Sequence, residues 1–292
     1  MSKYNSPHFL GFTAQGDEKT NNEVDLREVF DFATGTPGKT KYIRGPTDRD
    51  YNVLVGQNQW PDPNVVGTDF QDTIMEYMSC MRDVYRGVLT LLESALGLPR
   101  NSLLELDSPS TQHRLKLVKY FPTRTSYGPT GSQGVGAHQD ETGWLTFVNE
   151  VDKPGLQVHM RNGTEWLEVP IGKNGWGLNV GKAFERATCS LIHATLHRVQ
   201  SPPANSTPRH SIVFFAGLPL EQSYTSLQAI FAQSKILMAM KHRDDNLSST
   251  EYLQELGKLV VGEGADDTFG SSQLSMWQRS YNTKPRAANA TG

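Results

Sequence analysis

The sequence predicts a mainly β fold, an antiparallel sandwich or barrel with helices on both flanks. Three observations carry that reading. Between residues 114 and 216, short runs rich in Val, Ile, Leu, Thr and Phe alternate with Gly, Pro, Asn and Asp, and many short strands at such spacing fit two packed antiparallel sheets. Before them, over residues 69–96, Ile74, Met78, Met81, Val84, Tyr85, Val88 and Leu92 recur at three- and four-residue steps, as on one helix face. After Pro219, residues 226–241 return to helical character.

Taken in order, residues 1–67 read as irregular, with a short helix over 25–33 and a surface segment rich in Gly, Pro, Asn and Asp over 35–67. The long helix stops at Gly97 and Pro99. Strands are expected at 114–121, 145–151, 155–160, 165–169, 175–180, 189–200 and 210–216. Weaker helices follow at 249–260 and 272–281, and the polar tail after Pro285 frays. The chain thus divides into a helical and irregular region (1–110), a β core (111–220) and a helical region (221–292), joined as one structural domain. With 292 residues, 37% apolar and 20% charged, it can bury a core of its own.

Charge narrows the partners. There are 28 basic and 31 acidic residues, a net charge of −3, and no basic run interleaved with aromatics, which argues against nucleic acid. Cys80 and Cys189 lie outside any C-x-x-C pair, as expected of a reduced, cytoplasmic protein. Residues 1–16 are polar and carry no signal-peptide pattern. No apolar stretch approaches the roughly 20 residues that cross a bilayer.

The chemistry gathers in the β core. In an extended segment, residues two apart point the same way, so His138 and Asp140 can converge on one point. His197, on another expected strand, supplies a third group. Two histidines and one carboxylate form the facial triad of non-haem Fe(II) oxygenases, with three positions left open. H-x-D alone is a weak signal, and the same ligands also suit zinc. A second feature adds to it. Arg209 and Ser211 share a face at the start of the apolar run Ile212-Val213-Phe214-Phe215. A guanidinium fork can bind a carboxylate bidentately and a hydroxyl can add a third bond, which makes a receptor for the distal carboxylate of a dicarboxylic acid. The plainer alternative is a strand arginine paired with a local acid.

Other residues are weighed against bland roles. His193 precedes His197 by four, but Ala194 stands where a zinc-protease motif needs Glu; it reads as a non-ligand. His159, Arg198 and His210 read as strand or surface groups, and Glu141 points away from Asp140. Trp144, Phe147 and Phe215 could line a substrate pocket or fill the core; Phe147 reads as core.

Gly134 to Phe147, containing His138-Gln139-Asp140, resembles the iron-binding strand of isopenicillin N synthase-like, 2-oxoglutarate-dependent oxygenases of fungal and bacterial type. Gly155-Leu156-Gln157-Val158 with Trp166, Asn179-Val180-Gly181, His197-Arg198-Val199 and Arg209-x-Ser211 follow in the family's order. The similarity runs from about Arg114 to Pro219. It implies a double-stranded β-helix (jelly-roll, cupin-like) core and an Fe(II) ion held by His138, Asp140 and His197. It also implies 2-oxoglutarate as cosubstrate, its distal carboxylate on Arg209 and Ser211, and O₂ consumed with release of succinate and CO₂. The substrate would be a small organic molecule, hydroxylated or desaturated in secondary metabolism, and Trp144 and Phe215 are candidates to touch it.

Three departures stand out. Lys119-Tyr120-Phe121 occupies the place of N-x-Y, so Lys119 is expected to replace the tyrosine hydroxyl at the cosubstrate. Lys182 stands where Asp commonly follows N-x-G. Relatives usually begin with a further segment whose motif is not found here; without that segment the jelly roll would lose an edge strand and expose apolar surface for a homodimer to cover. An iron oxidase of the same fold that uses no 2-oxoglutarate, a non-catalytic degenerate jelly roll and a zinc hydrolase are the competing readings.

Overall fold

The structure is a computed structural model that describes residues 1–35, 49–109, 111–123, 133–160, 163–237, 239 and 267–282. The helix expected at 249–260 lies outside the described residues. Strands β1 (Gly11–Thr13), β2 (Lys19–Thr20), β3 (Glu23–Val24) and β4 (Arg27–Ala33) precede helices α1 (Pro63–Val66) and α2 (Phe70–Leu96). Then come β5 (Arg114–Tyr120), β6 (Gln133–His138), β7 (Leu145–Glu150), β8 (Leu156–His159), β9 (Trp166–Glu168) and β10 (Gly177–Val180). Helix α3 (Lys182–Ala187), β11 (His197–Gln200), β12 (Arg209–Ala216), α4 (Tyr224–Phe231) and α5 (Phe269–Asn282) complete the order.

Two antiparallel sheets make the jelly roll, in the orders β1-β4-β5-β12-β7-β10 and β6-β11-β8-β9. Their inner faces share one apolar cluster: Val29, Val118, Val148 and Val213 from the larger sheet, Val135, Leu156 and Val199 from the smaller. Side chains alternate along each strand, so the outer face of the larger sheet carries a second cluster. Phe32, Leu115, Phe147 and Phe214 pack there with the helices. Phe147 is thus core, as its strand position suggests.

The region read as a helix over residues 25–33 is instead β4, which pairs with β5 from Arg27–Tyr120 to Ala33–Arg114 and with β1 on its other side. Tertiary pairing overrides local pattern here, because β4 buries Val29 inward and Phe32 outward. The larger sheet therefore continues past β5 with the chain's own β4 and β1, where a stripped edge was expected. The sheet also crosses the boundary placed at residue 110, so the N-terminal region is part of the β core. The strand expected over 189–200 is confined to 197–200.

Helix α2 forms because Ile74, Met78, Met81, Tyr85 and Leu89 fall on one buried stripe, each worth about 1.5–3 kcal/mol against exposure. Gly97, in the left-handed conformation at φ 62°, ends it. The buried Glu93 carboxylate accepts from Asn101 N (3.0 Å), Leu103 N (2.8 Å) and Leu104 N (2.9 Å), fixing the turn that leads toward β5. Glu93→Ala leaves three backbone donors without that acceptor and is expected to cost about 2–4 kcal/mol. Glu93→Gln, which keeps one acceptor oxygen, should cost less. Denaturant titration of both variants checks the ranking.

Candidate metal centre

His138 ends β6 and His197 opens β11. The two strands pair antiparallel with His197 directly opposite His138, which brings the ring centroids to 4.3 Å. Asp140 follows two residues after β6. One ligand atom from each of the three lies within 4.8 Å of the others.

The hydrogen bonds around them fix which atoms face the centre. His138 Nδ1 lies 2.8 Å from Gly136 O and His197 Nδ1 lies 2.9 Å from Thr195 O. A carbonyl only accepts, so each Nδ1 carries the proton and each Nε2 offers a lone pair. Both Nε2 atoms lie 3.7 Å from Asp140 Oδ1. Asp140 Oδ2 accepts from Thr146 Oγ1 (2.7 Å) and Asn179 Nδ2 (2.8 Å), leaving Oδ1 for a metal. Burial and then the neighbouring His197 hold the His138 imidazole below its ordinary pKa, in the neutral form a ligand needs. Two imidazoles and one carboxylate, each steered by a second partner, fit a divalent iron.

The loop beyond Asp140 is closely packed. Lys182 N donates to Asp140 O at 2.9 Å, and a side chain at Gly181 would meet Gly143 O at 2.3 Å. The glycine of Asn179-Val180-Gly181 is thus required by the approach of two backbones. Lys182 opens α3 and binds the loop through its backbone, so the departure there alters a turn. A cavity of about 340 Å³ opens beside this loop, lined by Glu141, Thr142, Lys182, Asp267, Ser272 and Arg279, among others. Helix α5 closes over it through Gln273 Nε2 to Thr142 O (3.2 Å) and Arg279 to Glu141 (3.1 Å).

Arg209, Ser211, Val213 and Phe215 follow one another along the inner face of β12. Arg209 is buried with 1% exposure. Its Nη1, and Ser211 Oγ, are buried atoms with no hydrogen-bond partner. Two unused donors at one end of an apolar interior fit the carboxylate of a cosubstrate. Phe215 lies opposite Thr146 on β7, beside the residue that holds Asp140.

Two sequence expectations are corrected. Lys119 pairs with His210 and Glu28 on neighbouring strands, on the outer face. Its side chain is 43% exposed and 3.9 Å from Glu28, and the residue that faces Arg209 is Tyr120, whose ring lies 4.8 Å from the guanidinium. Trp144 is wholly buried among Phe184 and Phe231, in the core rather than a substrate pocket. The bland assignments stand otherwise: His193 binds Glu185 at 2.8 Å, His210 binds Asp152 at 2.9 Å, and Arg198 lies over Trp166. Thr146, Glu150 and Tyr120 escaped the sequence analysis. The available signal for Glu150 was an acid at a period-two inner position of β7, in step with Thr146 and Val148.

Residues 112–217 match the 2OG-Fe(II) oxygenase superfamily. The chain is 33% identical over 224 residues to the 2-oxoglutarate-dependent dioxygenase frbJ of Dothideomycetidae sp., covering 76% of this chain and 58% of that protein. It is 29% identical over 204 residues to a 2-oxoglutarate-dependent dioxygenase of Gibberella zeae, covering 68% and 51%. The chain therefore spans between half and three-fifths of the length of these relatives. Its fold is similar to that of a full-length Neurospora crassa protein in complex with alpha-KG, with a TM-score of 0.60 at 22% identity, over 74% of this chain and 65% of that one. No helix among the described residues is long and apolar enough to cross a membrane. By the profile match over residues 112–217 and these relatives, the chain is similar to members of the 2OG-Fe(II) oxygenase superfamily.

Proposed function

We propose that this chain is an Fe(II)- and 2-oxoglutarate-dependent oxygenase of the isopenicillin N synthase-like branch, oxidising a small organic substrate. The observation that carries this reading is the pairing of three convergent ligand atoms with two buried, unused donors on Arg209 and Ser211. His138, Asp140 and His197 would hold the iron, and Arg209 Nη1 with Ser211 Oγ the distal carboxylate of 2-oxoglutarate. When bound, the two groups supply the activation of O₂ that oxidises the substrate, with release of succinate and CO₂.

The chain's own residues position and shield. Thr146 and Asn179 keep Asp140 turned so that one oxygen faces the centre. Val118, Val135, Val148, Leu156, Val199 and Val213 line an apolar interior that excludes water and strengthens the charge contacts within it. Phe215, beside Thr146, is the aromatic we assign to substrate contact. Specialised-metabolite biosynthesis is the setting we assign, supported by the fungal dioxygenases among the relatives.

The test is optical. Fe(II) and then 2-oxoglutarate are added to the apoprotein under anaerobic conditions. A weak visible charge-transfer band that requires both is expected, and His138→Ala should lose it. Iron bound without a band would favour an oxidase that uses no 2-oxoglutarate; no iron bound would overturn the metal assignment.

A further inference from the structure

The Arg209 guanidinium is held before any ligand arrives. Its Nε donates to Lys153 O at 2.9 Å and its Nη2 to Glu150 Oε1 at 2.6 Å. Both side chains of that ion pair are almost fully buried, at 1% and 4% exposure. Glu150 is itself anchored, because the same oxygen accepts from Leu156 N at 3.0 Å. Gly155 makes room, since a side chain there would come within 3.0 Å of Arg209 Nε. The Tyr120 ring packs against the guanidinium. Nη1 is the guanidinium nitrogen that remains without a partner.

Two consequences follow. Two of the five N–H donors are already spent on Glu150 and Lys153, so a carboxylate arriving here meets the Ser211 hydroxyl and the unpartnered Nη1 of a guanidinium whose orientation is already fixed. In addition, Glu150 stands directly opposite Ser211 across the β7–β12 ladder. Residues so paired have Cβ atoms about 5 Å apart, which puts a fixed negative charge close to the place where the carboxylate must sit.

We propose that Glu150 is a positioning residue for the cosubstrate. It aims Arg209 so that Nη1 and Ser211 Oγ receive the distal carboxylate, and its charge offsets that of Arg209 and limits how tightly the anion binds. This rests on the assignment of Arg209 and Ser211 to 2-oxoglutarate.

Calorimetric titration of the anaerobic Fe(II)-loaded protein separates the two roles. The probes are 2-oxoglutarate and oxalate, which offers chelating oxygens but no distal carboxylate. Glu150→Gln keeps an acceptor for Arg209 and removes the charge. It should bind 2-oxoglutarate about tenfold more tightly, as expected for removing a like charge at this range in a partly screened interior, with oxalate unchanged. Glu150→Ala frees the guanidinium and should bind 2-oxoglutarate about tenfold less tightly than Glu150→Gln, with oxalate again unchanged. Wild-type affinity for 2-oxoglutarate in Glu150→Gln, or equal shifts for both probes, would overturn the proposal. Arg209→Ala run alongside tells the two failures apart: if it leaves 2-oxoglutarate binding intact, the pocket assignment itself is wrong.

Discussion

Asp140→Ala is expected to cost the protein its metal and all turnover. On the proposed reading Asp140 would bring the one anionic ligand atom of the triad, with Oδ1 3.7 Å from each imidazole Nε2. Without it, two imidazoles remain, and on adjacent strands they cannot hold three positions of an octahedron. The fall in metal affinity should exceed the roughly 10–100-fold that follows loss of a partner behind a ligand. Asn179→Ala supplies that comparison. It removes only the bond to Asp140 Oδ2 and should keep the metal with an affinity reduced about 10–100-fold. Metal analysis after equilibrium dialysis, with a melting curve to show that each variant is folded, measures both. Iron retained at wild-type level by Asp140→Ala would remove Asp140 from the ligand set.

Arg209→Ala should have the second largest effect, and on two quantities at once. Losing one partner of a charge-assisted pair at a buried site costs about 2–5 kcal/mol, so the 2-oxoglutarate requirement should rise roughly 30-fold or more. The same change strands the Glu150 carboxylate in the interior. Breaking a buried ion pair from one side typically destabilises by about 3–5 kcal/mol, and the melting temperature should fall accordingly. Removing both, as Arg209→Met with Glu150→Leu, should recover much of the stability while leaving 2-oxoglutarate binding lost. Saturation curves in 2-oxoglutarate and thermal melts, read together, separate the two effects. An unchanged requirement in Arg209→Ala would assign Arg209 a structural role only.

The convergence of His138, Asp140 and His197 was legible because a strand repeats every two residues. His138 and Asp140 needed only an extended backbone to converge, and His197 stood in a run whose strand character was plain. That Arg209 and Ser211 share one face was legible for the same reason. What was misread turned on phase and on tertiary contacts. Leu26, Val29, Phe30 and Ala33 fall at three- and four-residue steps, so β4 carries a helix-like pattern that pairing with β5 overrides. Lys119 differs from Tyr120 by one position, and a shift of one residue exchanges the two faces of a strand. Trp144 adjoins the motif in sequence, but only the packing of Phe184 and Phe231 around it reveals that it points into the core. Glu150 could not be paired with Arg209 in advance, since that bond depends on the register of β7 against β12.

The aromatic stack of Phe9 on Trp277, at 5.7 Å between ring centroids, bears on how the protein is made. Phe9 leaves the ribosome well before its partner, which lies on the far side of the β core in sequence. Strand β4 likewise waits for β5, which is separated from it by the whole of α2. Contacts between such distant parts of a chain form slowly, because a large loop must close before they give any return. During synthesis, the apolar sides of β1 and β4 therefore remain uncovered until the later strands and α5 emerge. A nascent chain stalled before Trp277 should be a preferred client of chaperones that bind exposed apolar segments, and a shortage of those chaperones should be felt in yield before it is felt in the activity of the folded product.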